Sequence, residues 1–339
     1  MKFFCSFLFF CTGVFFISCK HNEAVFKALT SSETGIHFAN NIVENDSVNP
    51  IDVTNIYNGG GVGIGDFNND GLQDVYFTGN LVSNKLYLNK GKMKFEDVTK
   101  ESGVTGEGRW SRGISVIDIN NDGWMDMYVS VTMAKDPNKR KNLLYVNQGL
   151  DKKGIPVFKE MAAEYGLDDT THSTMAAFFD YDNDGDLDMY LVVNEILPNV
   201  NPATFKPKIT DGSFPSTGRL YRNDFNKILK HPVFTNVTKQ AGLTIEGYGH
   251  GVSIADFNKD GWKDIFVTND FNSNDLLYIN NHDGTFTDKA STYLKHTSAN
   301  GMGQDVIDIN NDGLSDIVEL DMSPEDNYRK KMMLSSSSY

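Results

Sequence analysis

The sequence predicts an all-β chain folded as a β-propeller, a ring of four-stranded blades with an acidic loop between the first two strands of each blade. Three observations predict it. A nine-residue loop recurs five times, at intervals of 52, 62, 76 and 52 residues; a Leu-Tyr-x-Asn signature follows four of the five; and the loops are flanked by short runs rich in Val, Ile, Phe and Tyr.

The densest loop is Asp180-Tyr-Asp182-Asn-Asp184-Gly185-Asp186-Leu-Asp188, with five carboxylates in nine residues. Like charges at that density repel, and a folded chain keeps them by placing a cation among the oxygens. The other copies offer Asp66, Asn68, Asp70 and Asp74; Asp118, Asn120, Asp122 and Asp126; Asp256, Asn258, Asp260 and Asp264; and Asp308, Asn310, Asp312 and Asp316. Oxygen ligands at loop positions 1, 3, 5 and 9, with a glycine at 6 for the sharp turn, suit Ca²⁺, up to five ions in all. A helix–loop–helix calcium site is excluded. It needs an acidic twelfth residue, and that position holds Phe77, Val129, Leu191, Val267 and, once only, Glu319. By ligand charge the third loop is expected to bind most tightly, and the fourth, with Lys259 and Lys263 beside its acids, most weakly.

The blades read in order. An apolar run such as Gly61–Gly65 enters each loop and another, such as Asp126–Val131, leaves it. The signature follows as Leu86-Tyr87-Leu-Asn89, Leu144-Tyr145-Val-Asn147, Leu220-Tyr221-Arg-Asn223 and Leu277-Tyr278-Ile-Asn280, and a turn leads to a Phe-centred fourth strand. The fifth repeat has its two loop strands but no signature before Tyr339, so by its own pattern the ring is incomplete. Ahead of the first blade, Phe26-x-x-Leu29-Thr30 with Gly35-Ile36 repeats the pattern of Phe95-x-x-Val98-Thr99 with Gly103-Val104 and is expected to be a lone outer strand. The propeller is thus assigned to 26–339.

The formal net charge of −14 argues against a nucleic-acid partner. Its source is local: the five loops hold 17 of the 45 acidic residues, and the remaining 28 face the 29 Lys and Arg that lie outside the loops. All three cysteines fall within the first 19 residues, which leaves the propeller no disulfide framework. Residues 1–18 read as a signal peptide, with Lys2 before a Phe-rich apolar run, and 19–25 as a polar tether. Phe16-Ile-Ser18-Cys19 resembles a bacterial lipobox and implies lipidation of Cys19, membrane attachment through acyl chains, and an outer-membrane or cell-surface location in a Gram-negative bacterium.

Taken together, the loop Asp-x-[Asn/Asp]-x-Asp-Gly-x-x-Asp and the Leu-Tyr-x-Asn that follows it resemble the FG-GAP/VCBS repeat of integrin-α-type β-propellers. The stretches NGGGVGIGDFNNDGLQDVYFTGN and DYDNDGDLDMY are similar to secreted bacterial lipoproteins of the ASPIC/UnbV-associated type. The resemblance implies calcium ligation at loop positions 1, 3, 5 and 9 and a binding or adhesion role toward an extracellular protein or glycan. Two rival readings are a propeller polysaccharide lyase or hydrolase and a structural scaffold for domains beyond this chain. No nucleophile motif or phosphate loop supports catalysis, and no catalytic residue is assigned.

Strand order places the calcium loops on one face and the irregular links on the other. The second face collects Trp110, Arg112, His172 and His250 and the Pro-rich insertion 195–218, and is the candidate ligand face. For the N-terminus the expected outcome is incorporation of a palmitate analogue in growing cells, lost in Cys19→Ala; a label that survives the substitution contradicts the lipobox reading.

Overall fold

The computed structural model describes residues 26–322 except 54, 198, 199, 203, 205 and 272, together with 326 and 328. The signal peptide, the tether and Cys19 lie outside the described residues.

Four antiparallel four-stranded sheets and one two-stranded sheet follow one another along the chain. Blade 1 is β1 (Val62–Gly65), β2 (Asp74–Phe77), β3 (Lys85–Asn89) and β4 (Phe95–Asp97). Blade 2 is β5 (Trp110–Ile117), β6 (Asp126–Thr132), β7 (Leu143–Leu150) and β8 (Pro156–Glu160). Blade 3 is β9 (Ser173–Phe179), β10 (Asp188–Val193), β11 (Arg219–Asn226) and β12 (His231–Asn236). Blade 4 is β13 (Gly249–Ala255), β14 (Asp264–Asn269), β15 (Leu276–Asn280) and β16 (Phe286–Asp288), and the half-blade 5 is β17 (Gly301–Ile307) with β18 (Asp316–Asp321). Every blade is a meander, and first strands neighbour one another in sequence: β1 beside β5, β5 beside β9, β9 beside β13, β13 beside β17.

The core lies between blades. Phe67, Tyr76, Leu86 and Leu88 of blade 1 pack on Met127, Val129, Tyr145 and Phe158 of blade 2, while Tyr128 and Leu144 on the other side of blade 2 pack on Met189, Leu191 and Phe234 of blade 3. A strand buried on both faces carries apolar side chains at consecutive positions, as Met127–Val129, Met189–Val193 and Ile265–Val267 do. That is why β6, β10 and β14 are buried throughout and show no alternation.

A short helical turn closes three of the full blades, at Thr99–Ser102, Ala162–Tyr165 and Ala290–Tyr293. The first two end on a left-handed glycine, Gly103 and Gly166, set against the backbone carbonyl of the next blade's fourth strand. A Cβ at Gly166 would lie 2.7 Å from the Phe234 oxygen, so the position requires glycine for approach as well as for φ.

The N-terminal segment repeats this piece and corrects the expectation of a lone strand. Phe26–Thr30 forms no strand. Instead Thr30 caps a helical turn, α1 (Ser31–Thr34), through a reciprocal bond with Glu33, and Gly35 follows at φ 82°, lying against the Phe95 carbonyl of β4. Residues 30–35 therefore dock on blade 1 as the end of a preceding blade would. Phe38 then stacks on Phe77 (5.0 Å), and the Tyr87 hydroxyl accepts from the His37 amide, so the chain covers the outer half of blade 1's free side.

Nearer the axis that side stays open. In β1 Gly63 and Gly65 face Ile114 and Val116 of blade 2, and the alternate residues Val62 and Ile64 are exposed. At the far end Ile307, Val318 and Leu320 of blade 5 are also exposed. Among the described residues the arc of blades does not close.

Blade 5 is held to blade 4 partly through carboxyl groups. Asp275 accepts from the amides of Asn269 and Ser298, and Glu319 shares a hydrogen bond with it. Burial and then the Asp275 charge push the Glu319 carboxyl up to about 7. The folded chain therefore keeps a proton that the unfolded chain releases, so this contribution to stability is complete below the ordinary Glu range and is lost as pH rises through about 7.

Two outcomes follow from this packing. Glu319→Gln keeps the hydrogen bond without the titration, so its urea midpoint relative to the parent chain should rise between pH 5 and 8; a constant difference contradicts the shared proton. The Asn147 side chain bonds the carbonyls of Phe67 and Met125 and the amide of Gly149, so Asn147→Ala should cost about 1–3 kcal/mol of unfolding free energy. Its exposed neighbour Gln148→Ala should cost under about 0.5 kcal/mol in the same experiment.

Candidate metal centres and the opposite face

Each acidic loop is shaped by its own carboxylates. In the first, the Asp66 oxygens accept from the amides of Asp70 (3.0 Å) and Gly71 (2.7 Å), and Asp70 accepts from Leu72 (2.9 Å). The same three bonds recur from Asp118, Asp180, Asp256 and Asp308. Position 4 is left-handed in every loop, which Asn69, Asn121, Asn183 and Asn311 tolerate, and so is the glycine at position 6. Loops on adjacent blades also touch: Asn69 Nδ2 donates to the Gly123 carbonyl, and Lys259 Nζ to that of Gly313 (2.7 Å).

Position 9 is the structural pivot. Asp74 Oδ2 accepts from the Phe67 amide (3.0 Å) and its Oδ1 from the Asn89 amide (2.7 Å), joining the loop to the last residue of the Leu-Tyr-x-Asn signature. Asp126, Asp188 and Asp264 make the same pair of bonds. All four carboxylates are fully buried, and Asp316 of the half-blade, which has no third strand beside it among the described residues, is half-buried. Burial raises them, Asp74 to about 6 and Asp126 and Asp188 to about 7, against the lowering effect of two amide donors each.

The third loop differs from the rest. Elsewhere the position-3 asparagine turns its amide onto the position-5 carboxylate, as Asn68 does to Asp70 at 3.0 Å and Asn258 to Asp260 at 2.6 Å. In the third loop Asp182 stands there instead. A carboxylate oxygen of each of Asp180, Asp182 and Asp188 lies within 4.8 Å of the others, and the buried Asp182 Oδ1 has no hydrogen-bond partner. Converging carboxylate oxygens, one of them orphaned, fit a hard cation. In the fourth loop, by contrast, Asp260 is already engaged by Asn258 and by His282 Nε2 at 2.8 Å.

On the opposite face the four candidate residues fall in three places. Trp110, nearly buried, lines a cavity of ≈ 740 Å³ with Leu81, Arg109, Met133 and Lys135 and with Val48 and Val53 of the N-terminal segment. Arg112 and His250 line a second cavity, of ≈ 270 Å³, where the first strands converge. His172 lines neither. Its Nδ1 lies 3.3 Å from the Met133 amide and the Thr132 hydroxyl, and burial, reinforced by Arg140, holds its pKa down at about 4. A neutral ring accepting a backbone bond is a packing element. The insertion is stitched down too: Gly212 donates to the Thr244 carbonyl, Glu246 to that of Ile209, and Lys206 pairs with Glu246 at 3.1 Å.

Sequence reasoning overlooked one recurring polar position, two residues ahead of the signature. Asn84 and Asn142 each bond a buried tyrosine hydroxyl, Tyr76 and Tyr128, and accept a backbone amide, from Gly79 just past β2 and from Val131 near the end of β6. The signal was present as Asn-x-Leu-Tyr in both repeats, and Asp275 holds the same place in blade 4.

Comparison with known proteins agrees with this architecture. The FG-GAP-like repeat matches residues 42–129 and 256–319. Cartilage acidic protein 1 of Xenopus tropicalis is 23% identical over 216 residues, which is 63% of this chain and 29% of that protein. The Homo sapiens protein is 23% identical over 214 residues, 62% of this chain and 28% of its own length. This chain spans under a third of those relatives. A solved structure of an Agrocybe aegerita lectin, described as recognising non-reducing terminal N-acetylglucosamine, covers 76% of this chain and 73% of its own, at 16% identity and a TM-score of 0.33. The chain carries FG-GAP-like repeats on an all-β, propeller-like framework.

Proposed function

We propose that the chain is an exported, calcium-stabilised propeller module that binds an extracellular protein or glycan on the face away from its acidic loops. The observation that carries this reading is the ≈ 740 Å³ cavity around Trp110. It combines an aromatic edge, apolar walls from Leu81 and Met133, and the charged groups of Glu107, Arg109 and Lys135 at its rim. A concave, mostly apolar site with a few charged groups on a rigid scaffold is the usual form of a ligand site.

Calcium supports the reading from the other face. The oxygens of Asp180, Asp182 and Asp188 would hold the ion in the third loop, and the equivalent positions would hold it in the others. Its charge would offset the carboxylates that burial disfavours and so fix the strand ends that set the cavity's walls. Export and lipid attachment at Cys19 belong to the same proposal and are supported by the N-terminal sequence.

Glycan and protein arrays, run with calcium and with EGTA, test the proposal. The expected result is a ligand retained in calcium, lost in EGTA, and weakened at least tenfold by Trp110→Ala in a chain that still folds. A ligand unaffected by Trp110→Ala, or calcium-dependent release of cleaved polysaccharide, overturns it.

A further inference from the structure

Six residues before each loop start, the five blades carry Gly60, Arg112, Thr174, His250 and Met302. In blades 2 to 5 the register between first and second strands slips there: between Ser111 and Ile114, opposite Val192 and Val193, between Gly249 and Gly251, and between Gly301 and Gly303. A β-bulge breaks the alternation of side chains and redirects the extra residue. One redirected position per blade, at the strand end remote from the loop, places these residues around the axis. Arg112, Thr174 and His250 line the ≈ 270 Å³ cavity with Gly59, Gly60 and Gly61.

Arg112 is the anomaly. Its side chain is nine-tenths buried, yet among the described residues it forms no ion pair and its guanidinium donates no hydrogen bond. Burial alone pushes its pKa down to about 10, which leaves it charged at neutral pH. Its nitrogens keep contact with solvent, so the charge is not stranded, but a largely desolvated cation with no partner of its own gains from an anion seated beside it. Donors surround the same space. The amides of Gly59 and Gly60 meet no acceptor among the described residues. His250 Nε2 lies 3.1 Å from Asn194 Nδ2, whose orientation is set by its Oδ1 accepting from Asn55 and its Nδ2 facing the Gly249 carbonyl. An Nε2 that accepts from Asn194 puts the ring proton on Nδ1. The nearby Asp270 carboxylate, 3.6 Å from Nε2, is too far for a hydrogen bond.

We propose that this cavity seats a single carboxylate group, held by the Arg112 fork with His250 and the Gly59–Gly60 amides as further donors. One guanidinium offsets one negative charge. A phosphate dianion would bring a second into a chain of net charge −14, so a monoanion is the fitting occupant. The size suits an acidic monosaccharide. The inference deepens the binding role proposed for this face but uses a cavity separate from that of Trp110.

The probe is D-glucuronate, with glucose as its neutral counterpart and inorganic phosphate as the dianion, titrated into the full exported chain in calcium. The readout is the ¹⁵Nε signal of the buried arginine together with calorimetry. Glucuronate should move the Arg112 signal saturably, glucose should not, and Arg112→Gln should weaken glucuronate at least tenfold, with Arg112→Lys partly restoring it. The signal is read in the unsubstituted chain, so a variant that fails to fold leaves the test intact. Equal effects of glucose and glucuronate, tighter binding of phosphate, or no saturable shift would overturn the proposal. A carboxylate that binds while Trp110→Ala leaves every array ligand intact separates this inference from the wider proposal, which alone would then fail.

Discussion

Each full blade depends on one buried carboxylate. Asp74, Asp126, Asp188 and Asp264 take an amide from their own loop on one oxygen and an amide from the signature strand on the other. That pair of bonds fixes strand two against strand three at the loop face. The signature asparagine completes the knot, since Asn89, Asn147, Asn223 and Asn280 each donate to the carbonyl just ahead of the buried aspartate, and Asn147 and Asn280 also reach the preceding blade. The arrangement concentrates carboxylates where they are poorly solvated, which is the charge the proposed calcium would offset. In blade 5, where the described residues form only the first two strands, the aspartate is less buried.

The two faces consequently divide the work. Loop-face residues are engaged in hydrogen bonds within and between loops, and the chemistry proposed for them is structural calcium binding. The other face combines bulges, insertions and the N-terminal segment, whose sequences differ from blade to blade. Its polar groups sort clearly: His172 is consumed as a packing acceptor, whereas Arg112 is buried and unpaired.

Much of the fold was legible because repetition reveals constraint. Five loops agreeing at positions 1, 5, 6 and 9 disclosed the strand-loop-strand unit, and Leu-Tyr-x-Asn disclosed the third strand before its hydrogen bonds were known. The Phe26–Thr30 stretch misled because its likeness to the repeats is real but belongs to the helical turn that follows a fourth strand, where Thr30 caps and Gly35 turns left-handed. The grouping of Arg112 with His250, and of neither with Trp110, was not readable. A bulge shifts side-chain direction by one residue without changing the apolar pattern that marks the strand.

The central claim is that the acidic loops hold the blades together by binding calcium, and the urea midpoint of the whole chain as a function of free Ca²⁺ tests it most directly. A ligand bound only by the folded state raises stability with the logarithm of its concentration once sites fill. The account predicts a midpoint that climbs with Ca²⁺, with Asp182→Asn displacing the rise to higher concentration. A midpoint that is the same in EGTA and in saturating calcium would contradict it.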